Sequence, residues 1–347
     1  MNTSFASTWD NPILVAETRG PIIENVHRGA YCIVDVQGQI LHAVGNWQRP
    51  TFVRSALKYF QQIPLVESGA YRSLKITPQE LAVACASHSG EYVHIRWVQR
   101  LLHKVGLSEK HLQCGTHPPF DRPTRHELIR KGQTPSPIHN NCSGKHAAFL
   151  ALCVYGGYST HDYLDVNHPV QVMIRQAIAS IMEISEDSLI VGTDGCSAPN
   201  YAMPLNKLAL GFARLAAAEV DYPHASRETL QIIRNAVIHN PYLIAGRNRY
   251  CTLLMQQGKP HIIGKTGAAG VYGFGLTKRS IGGAVKIDDG TSGTQYLVTQ
   301  GILYSILTFP EIAEQIKPLN EQYFTKVIVN WSEKVTGSYK FIISDKE

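Results

Sequence analysis

The chain has 347 residues, 44% hydrophobic and 17% charged, and its 33 basic residues exceed its 27 acidic ones to give a net charge of +6. That length supports one large core or two smaller ones without staples, and the composition is that of a globular chain, not a disordered one. The basic residues are scattered, without runs or aromatic interleaving, so nucleic-acid binding is unsupported.

No apolar run approaches the ~20 residues of a membrane-spanning helix. Met1 to Gly20 has no basic start followed by an apolar stretch, so no secretory leader is read there. Seven cysteines (Cys32, Cys85, Cys114, Cys142, Cys153, Cys196 and Cys251) are odd in number and widely spaced, which does not suggest a disulfide framework. The expectation is a cytoplasmic protein.

In chain order, Tyr31 to Val36 and Ile40 to Val44 read as strands joined by a turn at Gln37-Gly38-Gln39. A helix is expected from near Ser55. Leu81 to Ala86 is a helix end or a buried strand, leading into Ser87-His88-Ser89-Gly90-Glu91. Ile95, Val98, Leu101, Leu102 and Val105 recur at helical spacing. Five prolines make Gly115 to Asn141 a loop, broken by a short helix around Arg125 to Lys131. Helices follow over Gly144 to Tyr155, from Pro169, over Leu205 to Val220 and over Arg227 to His239. Leu189 to Val191 is a strand, and so are segments within Ile262 to Lys265, Gly273 to Leu276 and Ala284 to Ile287. Thr294 to Leu307 reads as a helix, with closing strands at Lys326 to Ser332 and Ser338 to Ile343.

Strands at both ends and helices between them predict an α/β (α+β) fold. Its sheet is assembled from both termini (about 20–60 and 260–347) and its helical region (about 61–259) is inserted. The whole of 1–347 is expected to form a single unit.

Ser55 and Lys58 stand in an S-x-x-K pattern, which places both side chains on one face of a helical turn. Lys265-Thr266-Gly267 reads as an exposed edge strand carrying a second lysine. The two elements, in this order, mark serine acyl-transferases of the penicillin-recognising kind. A serine hydroxyl needs a base, and a free lysine with a pKa of ~10.4 is neutral in about one molecule in a thousand near pH 7. Lowering that value to the neutral range costs on the order of 4 kcal/mol. Burial or a second nearby cation supplies it, so Lys58 and Lys265 are read as one site. S-x-x-K alone is also what a solvated helix face would show. Ser87-His88-Ser89 is expected to cap the following helix as well as to react, with Ser87 the reactive member.

Cys142, Lys145 and His146 at one helix start, and Asp194 and Cys196 in a glycine-rich turn, form a second cluster. Three readings stand open: a metal site using both thiolates, a Cys142/His146 nucleophile and base, or two structural turns. His88, His94, His139 and His146 are candidate proton carriers. The glycine spacing after Cys142 does not fit a phosphate loop.

Six motifs occur in order: Arg54-Ser55-Ala56-Leu57-Lys58, Cys85-Ala86-Ser87-His88-Ser89-Gly90-Glu91, Asn141-Cys142-Ser143-Gly144-Lys145-His146, Gly192-Thr193-Asp194-Gly195-Cys196, Ile263-Gly264-Lys265 and Val285-Lys286-Ile287-Asp288-Asp289-Gly290. Together they resemble the bacterial L-asparaginase II family of the Rhizobium etli type (class 3 asparaginases), from about Thr18 to Gly290 and more loosely beyond. The resemblance implies a serine β-lactamase/glutaminase-like fold and hydrolysis of L-asparagine to L-aspartate and ammonia through an acyl-enzyme. It implies Ser55 with Lys58 and Ser87 with Lys265 as two Ser–Lys tandems, with Ser55 or Ser87 as the attacker. Cys142, Lys145 and Cys196 would surround a zinc ion (Zn2+), which modulates affinity and does not perform the hydrolysis. Asp194 would hold the substrate's α-amino end, with Arg54 and His146 as further substrate-binding residues. A small-molecule substrate and a homodimer are expected, without nucleic-acid or membrane partners. Arg247 and Cys251 depart from the family's usual acidic residues after Ala245-Gly246, whereas Arg249 and Thr252 remain. The rival expectations are a penicillin-recognising peptidase or β-lactamase, and a non-catalytic amino-acid- or zinc-binding protein.

Overall fold

The computed structural model describes residues 10–342, so Met1 to Trp9 of the leader reading and Ile343 of the last expected strand lie outside the described residues. The class is mixed α/β. An eight-stranded antiparallel sheet takes β1 (Ile13–Arg19), β2 (Ile22–Asp35) and β3 (Ile40–Val44) from one end of the chain. From the other end it takes β7 (Ile262–Gly267), β8 (Val271–Leu276), β9 (Ile281–Ile287), β10 (Val327–Val329) and β11 (Val335–Phe341). The strand order is β10-β11-β1-β2-β9-β8-β7, with β3 also on β2. β2 changes neighbours along its length. Its first half pairs with β1, whereas Gly29 to Asp35 pairs with β9, Tyr31 opposite Val285. β1 escaped the sequence reading, and β2 begins nine residues before the expected Tyr31, because both segments mix charged residues into their alternation, and the added part of β2 is largely exposed.

Between Thr51 and Gln257 the chain is largely helical, with helices that include Pro78–Ala84, Tyr92–Lys104, Ser143–Gly156, Pro169–Ile181, Leu205–Ala217, Arg227–His239 and Tyr250–Gln257. A small second sheet, β4 (Thr51–Phe52), β6 (Pro199–Met203) and β5 (Ile190–Thr193), lies within this part, so it is not wholly helical. Helix Leu205–Ala217 packs directly on the main sheet. A Cβ at Gly273 would meet the Phe212 ring at 2.1 Å, and one at Gly282 would meet the Ala209 carbonyl at 2.0 Å, so these strands need glycine for close approach. The helix Thr294–Gly301 continues through a π-helical turn over Ile302–Ile306, close to the expected helix end at Leu307.

Two local expectations are corrected, and of the two readings of Leu81 to Ala86 the helix end holds. Ser55 sits in a 3-10 turn (Arg54–Leu57), not at the start of an α-helix. Leu81 to Ala86 is the end of helix Pro78–Ala84, capped by Thr77 and Glu80 in a reciprocal box. β7 is the last strand in the sheet order, yet all six of its residues are buried, because helix Tyr250–Gln257 and the Ser55 turn cover it. Among the described residues no helix is long and apolar enough to cross a membrane.

Candidate active site

Helix Pro78–Ala84 delivers its C-terminal residues against helix Ser143–Gly156. Gly144 permits this contact, since a Cβ there would lie 2.1 Å from the Val83 carbonyl oxygen. The chain beyond Cys85 is then extended, and the Ser87 N–H donates to the Ile244 carbonyl at 2.9 Å, fixing the serine's backbone. Ser89 does not cap the next helix. Its hydroxyl donates to the Ala245 carbonyl at 2.6 Å, and the residue before that helix is Glu91, which caps without a side-chain hydrogen bond.

Both predicted lysines converge on Ser87. Lys58, wholly buried, donates from Nζ to the Ala86 carbonyl at 2.6 Å and the Asn141 carbonyl at 3.2 Å, and lies 3.0 Å from Ser87 Oγ. Lys265 Nζ, equally buried on β7, lies 2.8 Å from the same hydroxyl and 3.1 Å from the Thr266 carbonyl. Burial above all, and the charge of Lys58 next, pull the Lys265 amine from 10.5 down to about 7. Ser87 is therefore the hydroxyl between two amines.

The side chains of Ser55 and Lys58, the expected tandem, are not a hydrogen-bonded pair: each Lys58 Nζ hydrogen bond goes elsewhere, and only the Lys58 backbone N–H donates to the Ser55 carbonyl, at 3.3 Å. Ser55 is half-buried and lines the same cavity as Ser87. The residue before it, Arg54, is held in left-handed backbone at φ 53°, a conformation that costs a non-glycine residue of order 1 kcal/mol or more. Two contacts hold it there: its N–H donates to Asn200 Oδ1 at 3.2 Å, and its Nε to Asp194 Oδ1 at 2.7 Å. Asn200 and Asp194 come from β6 and from the loop joining β5 to β6, so the small sheet sets the backbone at Ser55.

The cavity has a volume of about 190 Å³. Its walls include Ser55, Ser87, Phe120, Asn141, Arg249, Thr266, Gln295 and Tyr296. Arg54, Asp194 and His146, expected to bind substrate, are not among the lining residues. Sequence reasoning noted Arg249 only as a retained residue of its loop, without a role, and missed Gln295 and Tyr296 as wall residues. Nothing in their spacing marks them, since they come from a loop and a helix that meet only in three dimensions. Of the two departures, Arg247 is exposed between Glu91 (3.8 Å) and Asp121 (3.9 Å). Cys251 is buried and accepts the Thr266 N–H at 3.3 Å.

Behind Asn141 lies the thiol cluster. Ligand atoms of Cys142, Asp194 and Cys196 all lie within 4.8 Å of one another, and Lys145 Nζ stands 3.1 Å from Cys196 Sγ. The Cys142 thiol holds Cys196 as a thiolate far below the usual thiol range, and Lys145 reinforces this against the opposing cost of burial. The same hydrogen bond, with burial, pushes Cys142 well up. Burial opposes the Lys145 charge, but Cys196 and Cys142 outweigh it and raise the amine. His146 is buried, with Nδ1 2.8 Å from the Tyr163 hydroxyl and Nε2 without a partner among the described residues. Burial lowers its pKa. His88 is depressed further, by burial first and then by His94 and Lys58. It contacts Ser143 Oγ at 2.9 Å rather than the cavity, and is no candidate proton carrier for the serines.

Comparison with known proteins settles the family. The model of the family described as L-asparaginase II matches residues 15–341. The chain belongs to the L-asparaginase II family. As a member it is an amidohydrolase acting on a small molecule. No curated protein gives a significant match. Among solved structures, similarity is found to simvastatin synthase from Aspergillus terreus (12% identity, TM-score 0.40, covering 75% of this chain and 86% of that one). It is also found to a beta-lactamase from Mycobacterium bovis (11%, 0.38, 85% and 95%) and to a Bacillus glutaminase (11%, 0.36, 85% and 90%).

Proposed function

We propose that this L-asparaginase II family member hydrolyses the side-chain amide of L-asparagine to L-aspartate and ammonia through a serine ester. The observation that carries the reading is Ser87 Oγ bracketed by two wholly buried lysine amines, at 3.0 and 2.8 Å, beside a cavity of amino-acid size. With a pKa of about 7, Lys265 is an amine poised to accept a proton near neutral pH, as a general base should be.

In the direct route, Ser87 loses its proton to Lys265 as its oxygen bonds to the side-chain amide carbon. Lys58 stabilises the negative charge developing on that oxygen. Backbone amides of the turn at Ser55 are the candidate donors for the carbonyl oxygen. The C–N bond then breaks, Lys265 returns the proton to the departing nitrogen, and ammonia leaves. Water, activated by the same amine, cleaves the ester and restores the serine hydroxyl.

A second route is favoured by the left-handed backbone before Ser55 and by that serine's place on the cavity wall without a hydrogen bond from its hydroxyl to the described residues. There Ser55 attacks and passes its proton through Ser87 to Lys265. Both routes end with the proton on the same amine. Ammonia release from asparagine, glutamine and buffer alone, measured for wild type, Ser55→Ala and Ser87→Ala, tests the activity. Mapping the trapped ester to one peptide identifies the attacker. Activity surviving both substitutions overturns the mechanism.

The donor set of the thiol cluster suits zinc, which favours sulfur and nitrogen ligands, and His146 Nε2 is a buried nitrogen still without a partner. Cys142, Cys196 and Asp194 would hold the ion, with Lys145 beside them. Bound there, zinc would neutralise the thiolate and fix Asp194. Asp194 and Arg54 then act as positioning residues for the Ser55 turn.

A further inference from the structure

We propose that Arg249 is the specificity-determining anchor for the substrate's α-carboxylate. This rests on the amide-hydrolase reading of the same cavity and adds what that reading leaves open: how a free amino acid is told from an asparagine side chain within a peptide.

The cavity wall carries one charged residue, Arg249. The two lysines behind Ser87 are wholly buried and committed to the hydroxyl and to carbonyl oxygens. Arg249 is half-buried and makes no ion pair among the described residues. Its neighbours are neutral: Ser89 Oγ at 3.4 Å from Nη1, the Tyr296 hydroxyl, and the Phe120 ring, whose centre lies 5.5 Å from the guanidinium carbon. The nearby acids Glu91 and Asp121 are instead engaged by Arg247, on the outer side of the same loop. A guanidinium in a small, partly enclosed cavity without a counter-charge fits an anion supplied by the ligand, and its planar fork matches a carboxylate.

The loop holding Arg249 is fixed to the segment holding Ser87. The Ala245 carbonyl accepts from Ser89 Oγ at 2.6 Å, and the Arg247 N–H donates to Glu91 Oε1 at 2.9 Å. Gly246, at φ 107°, lies so close that a Cβ would meet Glu91 Oε1 at 2.3 Å. Anchor and armed hydroxyl therefore sit on two strapped segments, with a separation set by the backbone. A carboxylate held at one end presents a side-chain amide to the other.

The test compares L-asparagine with its α-N-methylamide, which keeps the side-chain amide and loses the negative charge. Ammonia release is measured for wild type, Arg249→Ala and Arg249→Lys. For L-asparagine, the alanine variant is expected to raise KM roughly 10- to 150-fold, the worth of a charge-assisted contact, with kcat little changed. The lysine variant recovers part of the loss. For the methylamide, wild type and Arg249→Ala have the same kcat/KM within about threefold. Equal losses on both substrates, or no loss on L-asparagine, overturn the proposal. Titration with L-aspartate by calorimetry needs no turnover. If wild type binds L-aspartate, and Arg249→Ala does so more than tenfold less tightly, yet no ammonia is released from L-asparagine, the hydrolase reading fails and the anchor stands. If the two bind L-aspartate equally, or neither binds it, the anchor fails.

Discussion

Lys265 Nζ lies 2.8 Å from Ser87 Oγ although 178 residues separate them in the chain, and Lys58 Nζ lies 3.0 Å from the same oxygen. Two like charges cannot share a dry site cheaply, so one amine sheds its proton near neutrality.

That relationship predicts a pH profile. Lys265 acts as a base only when uncharged, so kcat/KM is expected to fall as pH drops through about 7 and to level off above it. Initial rates across pH 5 to 9 in constant ionic strength check this; a flat profile through about 7 argues against Lys265 as the base.

The same burial works against folding. The folded amine has a pKa of about 7 against 10.5 for the free group, so the unfolded chain binds more protons between these values. Stability from this group therefore rises with pH across that window, and its cost is fully present below about 7. Lys265→Met, similar in length and uncharged, is expected to abolish turnover while stabilising the fold by about 1–4 kcal/mol. Thermal unfolding at pH 6.5 reads the gain, which shrinks as pH rises.

Removing the hydroxyl between the amines is expected to lower kcat by roughly 10³- to 10⁶-fold, the range for losing a member of a nucleophilic unit. Ser87→Ala does this with an unchanged circular dichroism spectrum. A smaller loss in Ser87→Ala than in Ser55→Ala favours the route in which Ser55 attacks.

Gly144→Ala places a methyl group 2.1 Å from the Val83 carbonyl oxygen and 2.7 Å from its carbon, both backbone atoms that cannot rotate away. The two helices must separate, at a cost of about 1–3 kcal/mol or more. A lower melting temperature is expected, together with reduced activity, because Val83 leads directly into Ser87.

Metal binding at the thiol cluster is checked without an activity assay. Purified protein dialysed against zinc is expected to retain about one ion per chain, and the Cys142→Ser/Cys196→Ser double variant to retain none. Equal retention by both proteins removes the site.

Much of this was legible in the residues. Serine and lysine at one turn, and a lysine on a glycine-flanked strand, pointed to a single site, and the amines do meet. Ser87 and Lys265 meet as paired in sequence, and only the Ser55–Lys58 pairing differs, because three-residue spacing gives side-chain contact only in a regular helix. At Arg54 the backbone turns left-handed and the next residues form a 3-10 turn, so Lys58 reaches Ser87 instead of Ser55. The small sheet that imposes this conformation was partly invisible: β5 reads as a strand, but β4 has only two residues, and β6 opens on a proline and is buried on both faces, so it shows no alternation. Arg249 carries no assigned role in sequence, since an unpaired cation is recognised only when its surroundings are known.

β2 pairs with β1 and β3 as soon as short turns are made, but its remaining neighbour, β9, is about 250 residues later, with Tyr31 opposite Val285. A ribosome emitting this chain thus leaves one edge of a long, apolar strand without its partner until β9 is made. The amine on β7 arrives in the same late stretch. An unfinished copy is therefore both prone to stick to its neighbours and chemically inert, and truncation anywhere before the final third yields no active fragment.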